Sequence, residues 1–234
     1  MGAATALILA ECGADVAIGF HSRAREADDV VSRMLATGVR ATAHAADISA
    51  AEGARQLFDG AIDSLGGLDI FVGSAGMWPA DAVPLSALSD DRWHETMRQN
   101  LDSIFFTARL AARHVGRDGR IVLVSSTAGQ RGESFHADYA ATKGALISLV
   151  KSLAIELAPS GCTVNCVAPG WIDTDMVDSV RVDGGLQHIA AGIPLGRVAS
   201  PRDVAGPIVF LCSELARHIT GEVLNVNGGS VLCG

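Results

Sequence analysis

The chain has 234 residues, 49% hydrophobic and 19% charged, with 26 glycines and 7 prolines, a composition that sustains a packed core and excludes a disordered or fibrous chain. A formal net charge of −8 argues against nucleic acid or an anionic membrane as the main partner, and no apolar run nears the ~20 residues that a membrane span needs. Cys12, Cys162, Cys166, Cys212 and Cys233 are odd in number and scattered, without a histidine cluster or metal-ligand spacing. They read as reduced thiols of a cytoplasmic protein, with no metal site. The opening residues lack the basic segment of a secretory leader, and Ala6 stands where a myristoylation signal wants Ser or Thr, so no membrane anchor is expected.

In chain order, residues 2–12 read as a helix closed by Gly13, a residue type that accepts the left-handed conformation at helix ends. A buried strand follows at 15–20, then an amphipathic helix at 23–37 ended by Gly38 and a strand at 39–45. A helix at 52–65 stops at Gly66-Gly67, before the strand 68–72. A single long helix is expected over about 90–115, the apolar strand Arg120-Ile-Val-Leu-Val124 next, and a second long helix over about 137–158, stopped by Pro159. The remainder reads as a strand at 163–168, an irregular Gly-rich stretch to about 200, a helix to about 214 and a last strand at 222–226. Short, nearly continuous apolar strands alternating with helices predict a doubly wound (Rossmann-like) α/β domain, its parallel sheet covered by helices on both faces. Residues 1–234 form one domain on this reading, with 171–200 on the substrate side.

Tyr139 is the only tyrosine, and Lys143, one of two lysines, lies four residues on. Positions i and i+4 share a helix face, so phenol and ammonium can converge. A phenol titrates near 10, and a cation within ~4–6 Å lowers that toward the working range. The pair taken alone fits a half-buried tyrosine beside a solvated lysine equally well. Ser125-Ser126, however, closes the strand 121–124 at the carboxyl end, where open α/β sheets place their ligands.

With Asn100-Leu101, Ile121-Val-Leu-Val-Ser-Ser126, Gly129, Tyr139-Ala-Ala-Thr-Lys143-Gly144, Asn165-Cys-Val-Ala-Pro-Gly170-Trp-Ile-Asp-Thr174-Asp-Met176 and the tail 219–229, the chain resembles the short-chain dehydrogenase/reductase family over nearly its whole length. That resemblance implies a catalytic set of Asn100, Ser126, Tyr139 and Lys143. Tyr139 would act as general acid on a ketone and as base on an alcohol. Ser126, which matches the family spacing better than Ser125, would hold the substrate oxygen. Lys143 would lower the tyrosine pKa and bond the nicotinamide ribose, and Asn100 would organise a water-linked proton relay. Taken singly, Asn100 reads equally as a surface amide and Ser126 as a strand-end hydrogen bond.

The resemblance further implies cofactor contacts at Gly2, Ser22, Arg23, Asp47, Ile48, Ser74, Ala75, Gly76, Tyr139, Lys143, Pro169, Gly170, Ile172 and Thr174. Gly73-Ser74-Ala75-Gly76 departs from the family's usual Asn-Asn-Ala-Gly. No carboxylate follows the strand 15–20; Phe20-His21-Ser22-Arg23 stands there instead, a cation suited to a 2′-phosphate, so NADP(H) is favoured over NAD(H). Arg23 and Arg25 also fit a plain solvated helix start.

Family members begin with a strand and a Gly-rich turn that are missing here, Gly2 matching the turn's last glycine. Without that first strand, two neighbouring strands would keep unpaired edges inside the sheet, each buried amide costing ~1–3 kcal/mol. A shortened start, a rearranged fold with weakened cofactor affinity, and a subunit kept for assembly are three accounts of it. The expected function is an NADP(H)-dependent oxidoreductase that interconverts a ketone and a secondary alcohol, similar to 3-oxoacyl-carrier-protein reductases. The alternative is an inactive subunit of an oligomer. Expected partners are a small carbonyl or alcohol substrate and further copies of the chain, as a dimer or tetramer.

Overall fold

The computed structural model describes residues 1–174 and 185–232. It contains helix α1 (Gly2–Glu11), strand β1 (Val16–Phe20), α2 (Ala24–Leu35), β2 (Ala41–Ala45), α3 (Ala51–Leu65) and β3 (Leu68–Gly73). Then come α4 (Asp90–Met97), α5 (Ser103–His114), β4 (Val115–Val124), α6 (Thr127–Arg131), α7 (Ala137–Leu157), β5 (Thr163–Pro169), α8 (Gly185–Ala191), α9 (Pro201–Cys212) and β6 (Val223–Val226). Caps account for several boundaries. Gly66 ends α3 in the left-handed conformation at φ 89°, where a side chain would be strained. Ser200 and Asp203 cap the start of α9 reciprocally, with Pro201 in its first turn.

All strand pairs are parallel, but the sheet is in two parts: β1 pairs with β2, and β3, β4, β5 and β6 pair in that order. Among the described residues no strand pairs with the second edge of β1 or of β3. The interruption therefore falls where the sequence leaves two edges without a partner. Burial follows the pairing. Every residue of β5 and residues 120–124 of β4 are buried, whereas most of β1 and β3 is only half-buried.

Helices span the break. Leu9 of α1 packs in the core beneath β1 and β2 and also in the core that holds Ile70 and Val72 of β3. Helix α3 rests on β1 and β2 and packs against α5, while α1 packs against α9. The expected doubly wound α/β architecture is present, held across its break by side-chain packing instead of backbone hydrogen bonds.

The long helix expected over about 90–115 is present as one continuous helical run from Asp90 to His114. A π-helical turn, Arg98–Asp102, joins α4 to α5, and the chain is extended from Val115 onward. The π-helical turn keeps the run helical while rotating the face of α5 relative to α4. The short helix α6 was not foreseen, and α8 occupies part of the stretch read as irregular.

Candidate active site

The carboxyl ends of β3, β4 and β5 converge on one cleft edge. From β4 come Ser125 and Ser126. Ser125 is buried, and its hydroxyl donates to the Lys143 carbonyl at 2.7 Å. Ser126 caps α6, accepting from the Ala128 N–H at 3.1 Å, and hydrogen-bonds the Tyr139 phenol. The two adjacent serines thus face opposite tasks: Ser125 clamps α7, and Ser126 meets the reactive side chain.

Tyr139 and Lys143 lie on one face of α7, both buried. That helix sits close because Gly129 has no side chain: a Cβ there would fall 2.5 Å from the Lys143 carbonyl carbon. Burial pushes the Tyr139 phenol up to about 12 despite the Ser126 hydrogen bond, with Glu133 adding to the rise. Burial pushes Lys143 down to about 8. The expected lowering of the phenol by Lys143 is therefore not what the site displays. The Lys143 ammonium donates to the Val124 carbonyl at 3.0 Å and stands 5.7 Å from the Tyr139 ring centroid, so desolvation dominates both groups.

Asn100, in the π-helical turn, is fully buried, and its amide is spent on one residue. Oδ1 accepts from the Met77 N–H at 2.7 Å and Nδ2 donates to the Met77 carbonyl at 3.0 Å. Its side chain thus pins the segment after β3. Gly76 lies against this pair: a Cβ there would be 2.7 Å from Asn100 Oδ1 and 3.3 Å from Lys143 Nζ. Ser74, Ala75 and Gly76 run past the start of α1, with a Gly2 Cβ reaching within 2.9 Å of Ser74 Oγ. An α-helix N-terminus thereby meets the loop at the end of β3, an arrangement suited to an anion.

Further along the edge, Ser22 and Arg23 are exposed between β1 and α2. Asp47 sits past β2, its carboxylate held below the usual range by hydrogen bonds from the Ser49 hydroxyl (2.6 Å) and N–H (3.0 Å). Ile48 beside it is half-buried. At the end of β5, Pro169 is buried, Gly170 lies close to Asn227, and Ile172 bridges Ala199. Thr174 is the last described residue before 185, so Met176 and the middle of the 171–200 stretch lie outside the described residues. Among the described residues no group of histidine, cysteine and carboxylate side chains could hold a metal ion, and no helix is long and apolar enough to cross a membrane.

Two groups around Tyr139 escaped sequence reasoning. Asp138 is fully buried and accepts from Arg92 Nε at 3.0 Å and Thr96 Oγ1 at 2.9 Å, while Arg92 Nη1 donates to the Asp81 carbonyl at 2.7 Å. Burial alone would raise the Asp138 carboxyl, but those bonds hold it below the usual range. The second is His136, buried, which stacks on Trp78 with ring centroids 4.1 Å apart.

A dinucleotide-type cleft, with a hydrogen-bonded Ser–Tyr pair and a buried lysine on the helix behind it, defines the class as a Rossmann-like oxidoreductase. Comparisons with known proteins narrow it. The family model described as enoyl-(acyl carrier protein) reductase matches residues 1–230. The chain is 36% identical to a 3-oxoacyl-[acyl-carrier-protein] reductase of Synechocystis, over 99% of this chain and 93% of the relative. A solved dehydrogenase/reductase from Sinorhizobium meliloti superposes with a TM-score of 0.92 at 37% identity, covering 99% of this chain and 90% of that one. A blue fluorescent protein from a metagenomic library, solved with NADPH, gives 0.91 at 34% identity, covering 99% and 93%. The chain belongs to the short-chain dehydrogenase/reductase family and is an oxidoreductase.

Proposed function

We propose that the protein is an NADP(H)-dependent ketoreductase interconverting a ketone and a secondary alcohol, with Tyr139 as general acid and base. The hydrogen-bonded Ser126–Tyr139 pair at the carboxyl end of β4 carries this reading. The residues present fit a nicotinamide dinucleotide. Gly76 keeps open a space between Asn100 and Lys143 that a side chain would fill, and the α1 N-terminus faces the same loop. Bound there, a reduced nicotinamide would supply the hydride that the carbonyl carbon takes up. As the carbonyl π bond opens, Tyr139 gives its proton to the oxygen, and the phenolate recovers one from solvent. A phenol held neutral by burial is the form required of a proton donor in this direction. Ser126 donates to the same oxygen, and Lys143, placed behind the tyrosine, offsets the negative charge that develops there.

Ser22 and Arg23, without a carboxylate after β1, support NADP(H) over NAD(H). The free thiols at the four described cysteines support a cytoplasmic location. A groove between α5 and α7, where Phe105, Leu149 and Leu153 lie among Arg109, Arg113 and Glu156, supports assembly with further copies of this chain. The same groove also fits a second reading, a subunit kept for assembly alone.

Turnover of ketones by the purified protein with NADPH and with NADH separates the readings. Higher kcat/KM with NADPH is expected, and Tyr139→Phe should lower kcat by about 10²–10⁴-fold without loss of folded structure. A higher kcat/KM with NADH would remove the cofactor preference. Residual activity near wild type in Tyr139→Phe would remove the assigned acid, and neither NADPH binding nor turnover would favour the assembly subunit.

A further inference from the structure

Three aromatic side chains from separate segments meet around Trp78, which itself touches Tyr139. Trp78, five residues past β3, sets its ring edge-on to Tyr139 with centroids 4.8 Å apart and interplanar angle 76°. Trp171, just after β5, stands 6.0 Å from Trp78 at 64°, so the two indoles form a corner whose Trp78 side meets Tyr139. His136 backs Trp78 in a near-parallel stack, and its Nε2 faces the Pro79 carbonyl at 3.1 Å. Asn100 grips both backbone groups of Met77, the residue next to Trp78. The corner is therefore anchored, and flexible side chains contribute little to it. Trp171 also borders an open depression of about 580 Å³ whose walls mix Ile193, Leu195 and Val226 with Arg197, Asp203 and Asn227. Rigid aromatic surfaces set edge to face favour flat π-systems over flexible chains.

Charge around the cleft is equally selective. Arg92, Arg131 and Arg197, on segments flanking the site, are each ion-paired, with Asp138, Glu133 and Asp203 respectively. The chain as a whole carries a net charge of −8. An acidic carrier protein would meet like charge on approach, which slows encounter and costs affinity. An uncharged small molecule would not.

Resting on the ketoreductase reading, we propose that the substrate is a free, uncharged, flat aromatic ketone seated against Trp78 and Trp171, and not an acyl chain delivered on an acidic carrier protein. In the reduction its carbonyl carbon gains the hydride of the reduced nicotinamide, its oxygen gains the Tyr139 proton, and the ring system stays against the indoles.

The experiment compares 1-tetralone, cyclohexanone and acetoacetyl-acyl-carrier protein as substrates, and in parallel titrates 1-tetralone against intrinsic tryptophan fluorescence in a Trp93→Phe background, where Trp78 and Trp171 are the only reporters. At least a tenfold higher kcat/KM for 1-tetralone than for the other two is expected, with saturable quenching. Trp78→Ala should collapse the tetralone-to-cyclohexanone ratio, chiefly through KM, and Trp78→Phe should restore much of it. Turnover that favours cyclohexanone or the carrier-bound thioester overturns this proposal and leaves the ketoreductase reading standing. Saturable quenching with no ketone reduced sinks the ketoreductase reading but upholds the aromatic site. Absence of both quenching and tetralone turnover overturns the proposal.

Discussion

At the scale of single residues, burial acts in opposite senses on the two groups that share a face of α7. It keeps the Tyr139 phenol neutral far into the alkaline range and makes the Lys143 ammonium costly. The unfolded chain holds the lysine proton to its ordinary 10.5 and the folded chain only to about 8. The cost is therefore fully present below about pH 8 and fades between about 8 and 10.5, with an upper bound of roughly 3 kcal/mol at neutral pH. Lys143→Met, which keeps the chain length and drops the charge, should raise the urea midpoint at pH 7, lose that gain by pH ~10.5, and abolish most turnover. An unchanged or lower midpoint at pH 7 would mean that the bond to the Val124 carbonyl outweighs the burial penalty. Sequence made Tyr139 and Lys143 legible because their spacing is a local helical relation between rare residues. It did not reveal what each one bonds. The partner of Lys143 is a backbone carbonyl 19 residues away, and the amide of Asn100 is committed to Met77, 23 residues away.

Elements are held in register by contacts of the same long-range kind. Arg92 on α4 ties together the start of α7, through Asp138, and the segment after β3, through the Asp81 carbonyl. The Asp138 side chain is fully buried and that of Arg92 19% exposed, so removal of the carboxylate strands a mostly desolvated guanidinium. Asp138→Ala should destabilise the fold by about 3 kcal/mol, read as a lower denaturation midpoint, while Asp138→Asn, which still accepts from Thr96, should cost less. Equal midpoints for Asp138→Ala and wild type would show that the pair contributes nothing net. The strands and the long helices α3 and α7 were readable from apolar runs and from their Gly and Pro stops. The π-helical turn inside 90–115 was not, because it depends on backbone hydrogen bonding within a run that stays helical throughout. The five-residue α6 is too short for any period to announce; its Ser126 cap is its sole local signal.

For the whole molecule, the doubly wound architecture followed from alternating strands and helices, and the place of the missing pairing followed from the chain order. What the break does to the rest depends on packing across it. β1 and β2 carry Ser22, Arg23 and Asp47 at their carboxyl ends, whereas Ser126, Tyr139 and Lys143 belong to the four-stranded part. Only side chains such as Leu9 couple the two. Amide hydrogen exchange should therefore divide along the break, with β1 and β2 exchanging through a lower-energy opening than β4 and β5. Uniform protection across all six strands would show that the helices alone make the protein one cooperative unit.

On the proposed reading, the groups that would hold a dinucleotide lie on opposite sides of that seam. A ligand laid across it becomes a staple, its binding free energy drawn on to align one lobe with the other. Nucleotide affinity and the rigidity of the smaller lobe are then a single thermodynamic quantity, so a change that stiffens β1 and β2 tightens the hold on cofactor without touching it.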